Sequence, residues 1–142
     1  MNNQAISQLF RDIAQILQIK GENVFRIRAY ERAAQSIEGL TEDVEQMARQ
    51  GKLREIPGIG HDLAERIQEL LATGKIKLFE ELKQSIPAGL LDLLAIPSIG
   101  PKTAKVLYEQ AKVKNIADLE KAIQQKKLVG IVGIKEKTIE NI

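Results

Sequence analysis

The chain has no cysteine and no tryptophan, a single histidine, and only 4% aromatic residues. Without thiols, disulfide staples and thiolate zinc centres are excluded, which fits a reducing, cytoplasmic setting. No apolar run approaches the length of a membrane span, and the start "MNNQAISQLFRDIAQ" lacks the apolar core of a signal peptide. The five aspartates, Asp12, Asp43, Asp62, Asp92 and Asp118, are scattered, with no D-x-D pair. Clustered carboxylates of the kind that two-metal chemistry requires are therefore missing. Glu42-Asp43 and Glu80-Glu81 read as solvated helix faces. The lone histidine, His61, reads as an exposed residue at a helix start rather than a base or metal ligand.

What remains is ordinary globular material: 142 residues, 44% hydrophobic and 28% charged, enough for one domain or two small subdomains. The net charge of +2 is unevenly spread. Residues 1–99 carry 12 basic against 14 acidic side chains, whereas residues 100–142 carry 9 against 5. An anion-binding face in the last third would need such an excess, although lysine-rich exposed helices also occur without a ligand.

Helical periodicity dominates. Ile6, Leu9, Phe10, Ile13, Ile16 and Leu17 mark one face of a helix running from about Ala5 to Ile19, stopped at Lys20-Gly21. A second helix is expected in "NVFRIRAYERAAQSIEGL", with Ile27, Tyr30, Ala34 and Ile37 inward. Thr41 is the expected N-cap of a third, followed by Glu42, Asp43 and Glu45 in its first turn and closed by Gly51. No alternating strand pattern is present. The expected fold is all-α, in two small helical subdomains, residues 1–82 and 83–142.

An internal repeat organises the remainder. "LREIPGIGHDLAERI" starts at Leu53 and "LLAIPSIGPKTAKVL" at Leu93, so that Pro57, Gly60 and Ala64 recur 40 residues later as Pro97, Gly100 and Ala104. "GIVGIKEKTIENI" reads as a degenerate third copy, with Gly133 in place of Gly58 but Lys135 in place of Gly60. Each unit is two short helices joined by a glycine-containing hairpin, which must stack on a neighbour to bury its apolar face.

Such hairpins have a specific chemical use. Glycines at Gly58, Gly60 and Gly100 let backbone amides approach a ligand closely. The following helix adds unpaired N–H groups and the positive end of its dipole, a site for one phosphate that ignores base identity. Ile59 and Ile99 would anchor the hairpins in the core, and Ala64 and Ala104 would let the helices close up. The DNA-facing set is expected at Gly58, Ile59, Gly60 and His61 in the first hairpin, and Ser98, Ile99, Gly100, Lys102, Thr103 and Lys105 in the second. Asp62 opposes a phosphate at the first copy; "PKTAK" has no such conflict and should bind more strongly. A single turn of this kind could be purely structural, whereas two in-phase copies favour a nucleic-acid backbone.

"IPGIGHDLAERIQELLATGK" followed by "IPSIGPKTAKVLYEQ", together with the helix "NVFRIRAYERAAQSI", resembles the N-terminal region of family X DNA polymerases, chiefly the bacterial and archaeal enzymes. The resemblance covers essentially the whole chain. It implies, for the first half, a domain that binds a downstream 5′-phosphate and carries deoxyribose-phosphate lyase activity. For the second half it implies a DNA-gripping subdomain preceding the polymerase palm. It further implies a monovalent cation, K⁺ or Na⁺, held at each hairpin by backbone carbonyls, at Arg54, Ile56 and Ile59 and at Leu94, Ile96 and Ile99. The 5′-phosphate pocket transfers onto Arg26, Tyr30, Phe25 and Arg66, with core packing the competing explanation for the two rings.

Two departures stand out. Asp62 occupies a position that is basic in the family's pocket. Arg66 occupies that of the lyase lysine, and a guanidinium that stays protonated cannot form a Schiff base with a sugar aldehyde, although it can clamp a phosphate. No catalytic residue is therefore assigned, and the palm with its divalent metals is absent from these residues. The chain reads as part of a longer polymerase, with its palm in cis, or as a standalone module. Its expected role is non-sequence-specific binding of gapped or nicked DNA, as a monomer in the nucleoid, away from membranes, in base excision repair. The alternatives are an abasic-site lyase and a structural or protein-interaction bundle.

Overall fold

The computed structural model describes residues 1–128 and is all-helical over them. The degenerate third hairpin lies outside the described residues. The helices are α1 (Asn3–Ile19), α2 (Val24–Glu38), α3 (Val44–Arg49), α4 (His61–Thr73), α5 (Lys77–Gln84), α6 (Gly89–Leu93), α7 (Pro101–Ala111) and α8 (Ile116–Gln124), with a 3₁₀ turn at Leu53–Glu55. The chain divides into two units: Met1–Leu17 with Gly21–Leu82, and Lys83 onward with Gln18–Lys20.

In the first unit, α1 and α2 pair through the faces that their periodicity marks. Ile6, Phe10, Ile13, Ile16 and Leu17 are buried, as are Ile27, Tyr30, Ala33, Ala34 and Ile37. The Phe10 and Tyr30 rings meet edge to face, centroids 5.7 Å apart at 87°, a geometry that sets a ring's positive edge against the other's negative face. Buried Ser7 donates its hydroxyl to the Ala34 carbonyl at 2.8 Å, so that polar group is not orphaned inside the core. At the surface, Arg11 pairs with Glu38 and holds its carboxyl below the usual carboxylate range.

Helix α3 begins later than expected. Asp43, not Thr41, is its N-cap, accepting from the Glu45 amide at 2.9 Å. The reason lies on α1: Asn3 accepts from the Val44 amide at 2.9 Å and donates to the Glu42 carbonyl at 2.7 Å. The segment from Thr41 is thus fixed by a residue some forty positions away, a contact no local pattern shows. Helix α2 is capped as its sequence suggests, Asn23 accepting from the Phe25 amide at 2.8 Å.

In the second unit, α6 packs against both α7 and α8, burying Leu90 and Leu93 with Leu107 and Leu119. Gly89 makes the approach possible: a Cβ there would stand 2.5 Å from both Asn115 Cβ and the Lys114 carbonyl oxygen. Asn115 caps α8 by accepting from the Asp118 amide at 2.7 Å, and the Asp118 carboxylate in turn accepts from the Lys114 amide at 3.2 Å. Among the described residues no helix is long and apolar enough to cross a membrane.

Candidate nucleic-acid interface

The two hairpins are built alike up to one residue. In the first, Ile56-Pro57-Gly58-Ile59 forms a turn closed by the Ile59 amide on the Ile56 carbonyl at 3.0 Å. In the second, Ile99 donates to Ile96 at 2.9 Å across Pro97 and Ser98. Gly58 has φ +84, which pays a steric penalty in any residue with a Cβ, whereas Ser98 is not among the residues with positive φ. The sequences differ at this point because the turns do: proline opens both, but only the first swings its third residue into the left-handed region.

Ile59 and Ile99 are 3% and 2% exposed, and Ala64 and Ala104 are buried behind them. The apolar side chains thus pin each hairpin inward and leave its backbone outward. A phosphate could therefore meet Ile59 and Ile99 only through main-chain atoms.

The second glycine of each copy is the informative one. Gly60 has φ −93 and ψ −166, and Gly100 has φ −95 and ψ −179, conformations open to any residue. A Cβ at either position would meet nothing within 4 Å. Neither backbone strain nor internal packing calls for glycine here. Both residues are N-caps, and neither α4 nor α7 has a side-chain cap hydrogen bond, in contrast to α2, α3 and α8. Ala64 and Ala104 each donate to the cap glycine's carbonyl at 2.9 Å, which leaves the preceding first-turn amides without an intrahelical partner. In α7 Pro101 has no amide, so the free donors are Lys102 and Thr103. Lys102 is exposed, while Lys105, Thr103 and Ser98 are half-buried.

The carbonyls expected to face a monovalent cation differ in the hydrogen bonds they already accept. Ile56 and Ile96 each accept one turn hydrogen bond and keep a second lone pair. Those of Arg54 and Ile59, and of Leu94 and Ile99, accept none of the loop hydrogen bonds. Hard cations take oxygen ligands of this type.

Around the first hairpin the side chains are more mixed. His61, Asp62 and Glu65 form an exposed cluster, their ligand atoms all within 4.8 Å of one another, with His61 Nε2 3.1 Å from Glu65 Oε1. A cleft of about 230 Å³ lies beside them, lined by Gly51, Leu53, Arg54, His61, Ala64, Glu65 and Gln68. Arg66 is half-buried, and Arg26 is exposed on the first turn of α2. The two rings of the expected 5′-phosphate pocket separate. Phe25 is 79% exposed, while Tyr30 is 5% exposed and packed on Phe10. Core packing therefore accounts for the Tyr30 ring and not for Phe25.

One nearby cation is invisible in the motif. Arg32, on α2, lies across Gly58, with Cγ 3.2 Å and both Cδ and Nε 3.3 Å from where a Cβ would stand. Its only sequence signal is membership of the exposed Arg28 and Arg32 face of α2.

Comparison with known proteins agrees with this architecture. Residues 1–76 match the helix-hairpin-helix domain family, and residues 90–142 match the SAM-like helix-hairpin-helix tandem. The chain is 30% identical over all of its 142 residues to the DNA polymerase/3′-5′ exonuclease PolX of Bacillus subtilis (strain 168), and 29% identical over 83% of its length to DNA polymerase lambda of Arabidopsis thaliana. It spans 24% and 22% of those proteins, about a quarter of their length. With two glycine-capped hairpins on an all-helical scaffold, the chain belongs to the helix-hairpin-helix domain family.

Proposed function

We propose that the chain is a DNA-backbone-binding module of a family X repair polymerase, gripping gapped or nicked DNA through its two hairpins. The observation that carries this reading is the pair Gly60 and Gly100. Each begins a helix without a side-chain cap, in a conformation that does not need glycine, with open space where a Cβ would stand. A close-approaching phosphate accounts for both glycines and for the free amides behind them. Each hairpin then holds one phosphate, aided by K⁺ or Na⁺ on the backbone carbonyls, and base identity is not read.

Lys102 and Lys105 strengthen the second hairpin. Arg26, Phe25 and Arg66 form the part of the first unit that meets a 5′-phosphorylated end, Phe25 stacking on a base and the guanidiniums holding phosphate. Tyr30 contributes there through its hydroxyl at most, since its ring is committed to Phe10. Arg66 gives the module no Schiff-base nucleophile, so the reading is one of binding and not of lyase chemistry. The module acts as a monomer in the cytoplasm, delivering DNA to a catalytic palm elsewhere in the polymerase.

Fluorescence anisotropy with 5′-phosphorylated gapped DNA tests this reading. Binding should be indifferent to sequence and should weaken steeply as salt rises, because each neutralised phosphate releases counterions. Absence of binding at low salt would leave the hairpins with a structural role only.

A further inference from the structure

The 40-residue repeat inverts its charge at two equivalent positions. Lys102 and Lys105 follow Gly100, and their counterparts after Gly60 are Asp62 and Glu65. Both carboxylates are exposed and stand together with His61 at the start of α4. A phosphate approaching the α4 amides therefore meets two carboxylates, where α7 presents two ammonium groups. Like charges are repulsive even in water, so the first hairpin needs a cation to stand in for the two lysines that α4 lacks at these positions.

Arg32 is placed to supply it. Its stem lies on Gly58, as the 3.2–3.3 Å approach of Cγ, Cδ and Nε to a Cβ built there shows. The residue comes from the middle of α2, 26 positions before Gly58, so the contact is tertiary. It is exposed and forms no ion pair among the described residues. A guanidinium carries five donors in a planar fork suited to phosphate, and here none is spent on a carboxylate. Packing the stem against the turn also settles its position before any ligand arrives, which lowers the ordering cost of binding.

We propose that Arg32 is the phosphate clamp of the first hairpin: α2 lends it across Gly58 to offset Asp62 and Glu65, as Lys102 and Lys105 serve the second hairpin from their own helix. This inference rests on the DNA-backbone reading above. It makes the first hairpin a composite site, assembled only when α2 and the Ile56–Ile59 turn are packed together. The left-handed Gly58 then has a second use, because a Cβ there would press on the clamp's stem at 3.2–3.3 Å.

The test is a double-mutant cycle on the full chain, with 5′-phosphorylated gapped duplex as the probe and anisotropy across a salt series as the readout. Arg32→Gln keeps most of the stem and removes the charge; Arg49→Gln, on α3, is the equal-charge control. Gly60→Asp blocks the first hairpin's amides. Arg32→Gln should weaken binding about tenfold and lower the salt slope by about one contact, while Arg49→Gln changes affinity less than about twofold. In the Gly60→Asp background Arg32→Gln should add less than about twofold, because both act on one phosphate. Equal effects of Arg32→Gln and Arg49→Gln, or full multiplication of the Arg32→Gln and Gly60→Asp effects, overturn the clamp while leaving DNA binding intact. Failure of the unaltered chain to bind DNA overturns the parent reading and the clamp with it. Far-UV circular dichroism confirms that each variant is folded.

Discussion

Replacing Gly100 with aspartate should separate folding from function. Its φ of −95 suits any residue, and the space a Cβ would enter is open, so the substitution introduces neither strain nor a clash. Aspartate is also a good N-cap, better than glycine by a few tenths of a kcal/mol, and a negative charge at a helix N-terminus adds about 0.3–1 kcal/mol. The fold should therefore be as stable as before or slightly more so. DNA binding should suffer for the same reasons. The new carboxylate takes the Lys102 and Thr103 amides and repels the phosphate they would hold. Two unit charges about 4 Å apart interact by about 1 kcal/mol in water and about 4 kcal/mol at an effective dielectric near 20. At about 1.4 kcal/mol per tenfold, affinity should fall between about fivefold and several hundredfold. Thermal melting and anisotropy on the same preparation read the two effects. A variant that binds DNA like the unaltered chain would show that these amides are not the site. A loss of more than about 1 kcal/mol of stability would show that the fold needs this glycine after all.

Glutamate at both Lys102 and Lys105 should weaken binding to every sequence alike, and the slope of log affinity against log salt should drop by about two contacts in a salt titration. Phe25→Ala should leave the melting temperature unchanged, since the ring is 79% exposed. It should weaken binding to a 5′-phosphorylated gap by about 1–3 kcal/mol, the usual worth of a base stacked on an aromatic ring. Gly89→Ala should destabilise the second unit by about 1–3 kcal/mol in denaturant titration, because the added methyl meets the Lys114 carbonyl and Asn115. The Glu38 pKa is lowered by Arg11, so its contribution is present above the unfolded carboxylate value and is lost as pH falls through the folded one. Arg11→Ala should flatten that acid limb of a stability–pH profile.

The hairpins were legible because their logic is local. A proline, a glycine, an inward isoleucine and a small residue four positions beyond the second glycine fall within a dozen residues, and the repeat doubles the signal. The all-helical fold follows from apolar spacing, with Phe10, Ile13 and Leu17 buried as their periodicity requires. What escaped the sequence depends on distant partners. Thr41 has the right side chain for an N-cap, but Asn3 ties down the segment around it and the helix starts after Asp43. Phe25 and Tyr30 look equivalent on a helix, yet only Tyr30 finds a ring to pack on. The Gly58 and Ser98 turns differ in the sign of φ at the third residue, which a Gly-to-Ser exchange alone does not reveal. Arg32 was one of several arginines on α2 until its stem could be placed on Gly58.

The central claim is that the hairpins hold phosphates through their backbone. A paired anisotropy titration tests it most directly, comparing 5′-phosphorylated gapped DNA with an analogue of the same sequence carrying a neutral backbone, each across a range of salt. The account predicts tight binding to the DNA that weakens linearly in log salt, and little binding to the neutral analogue. Equal, salt-insensitive binding to both would contradict it.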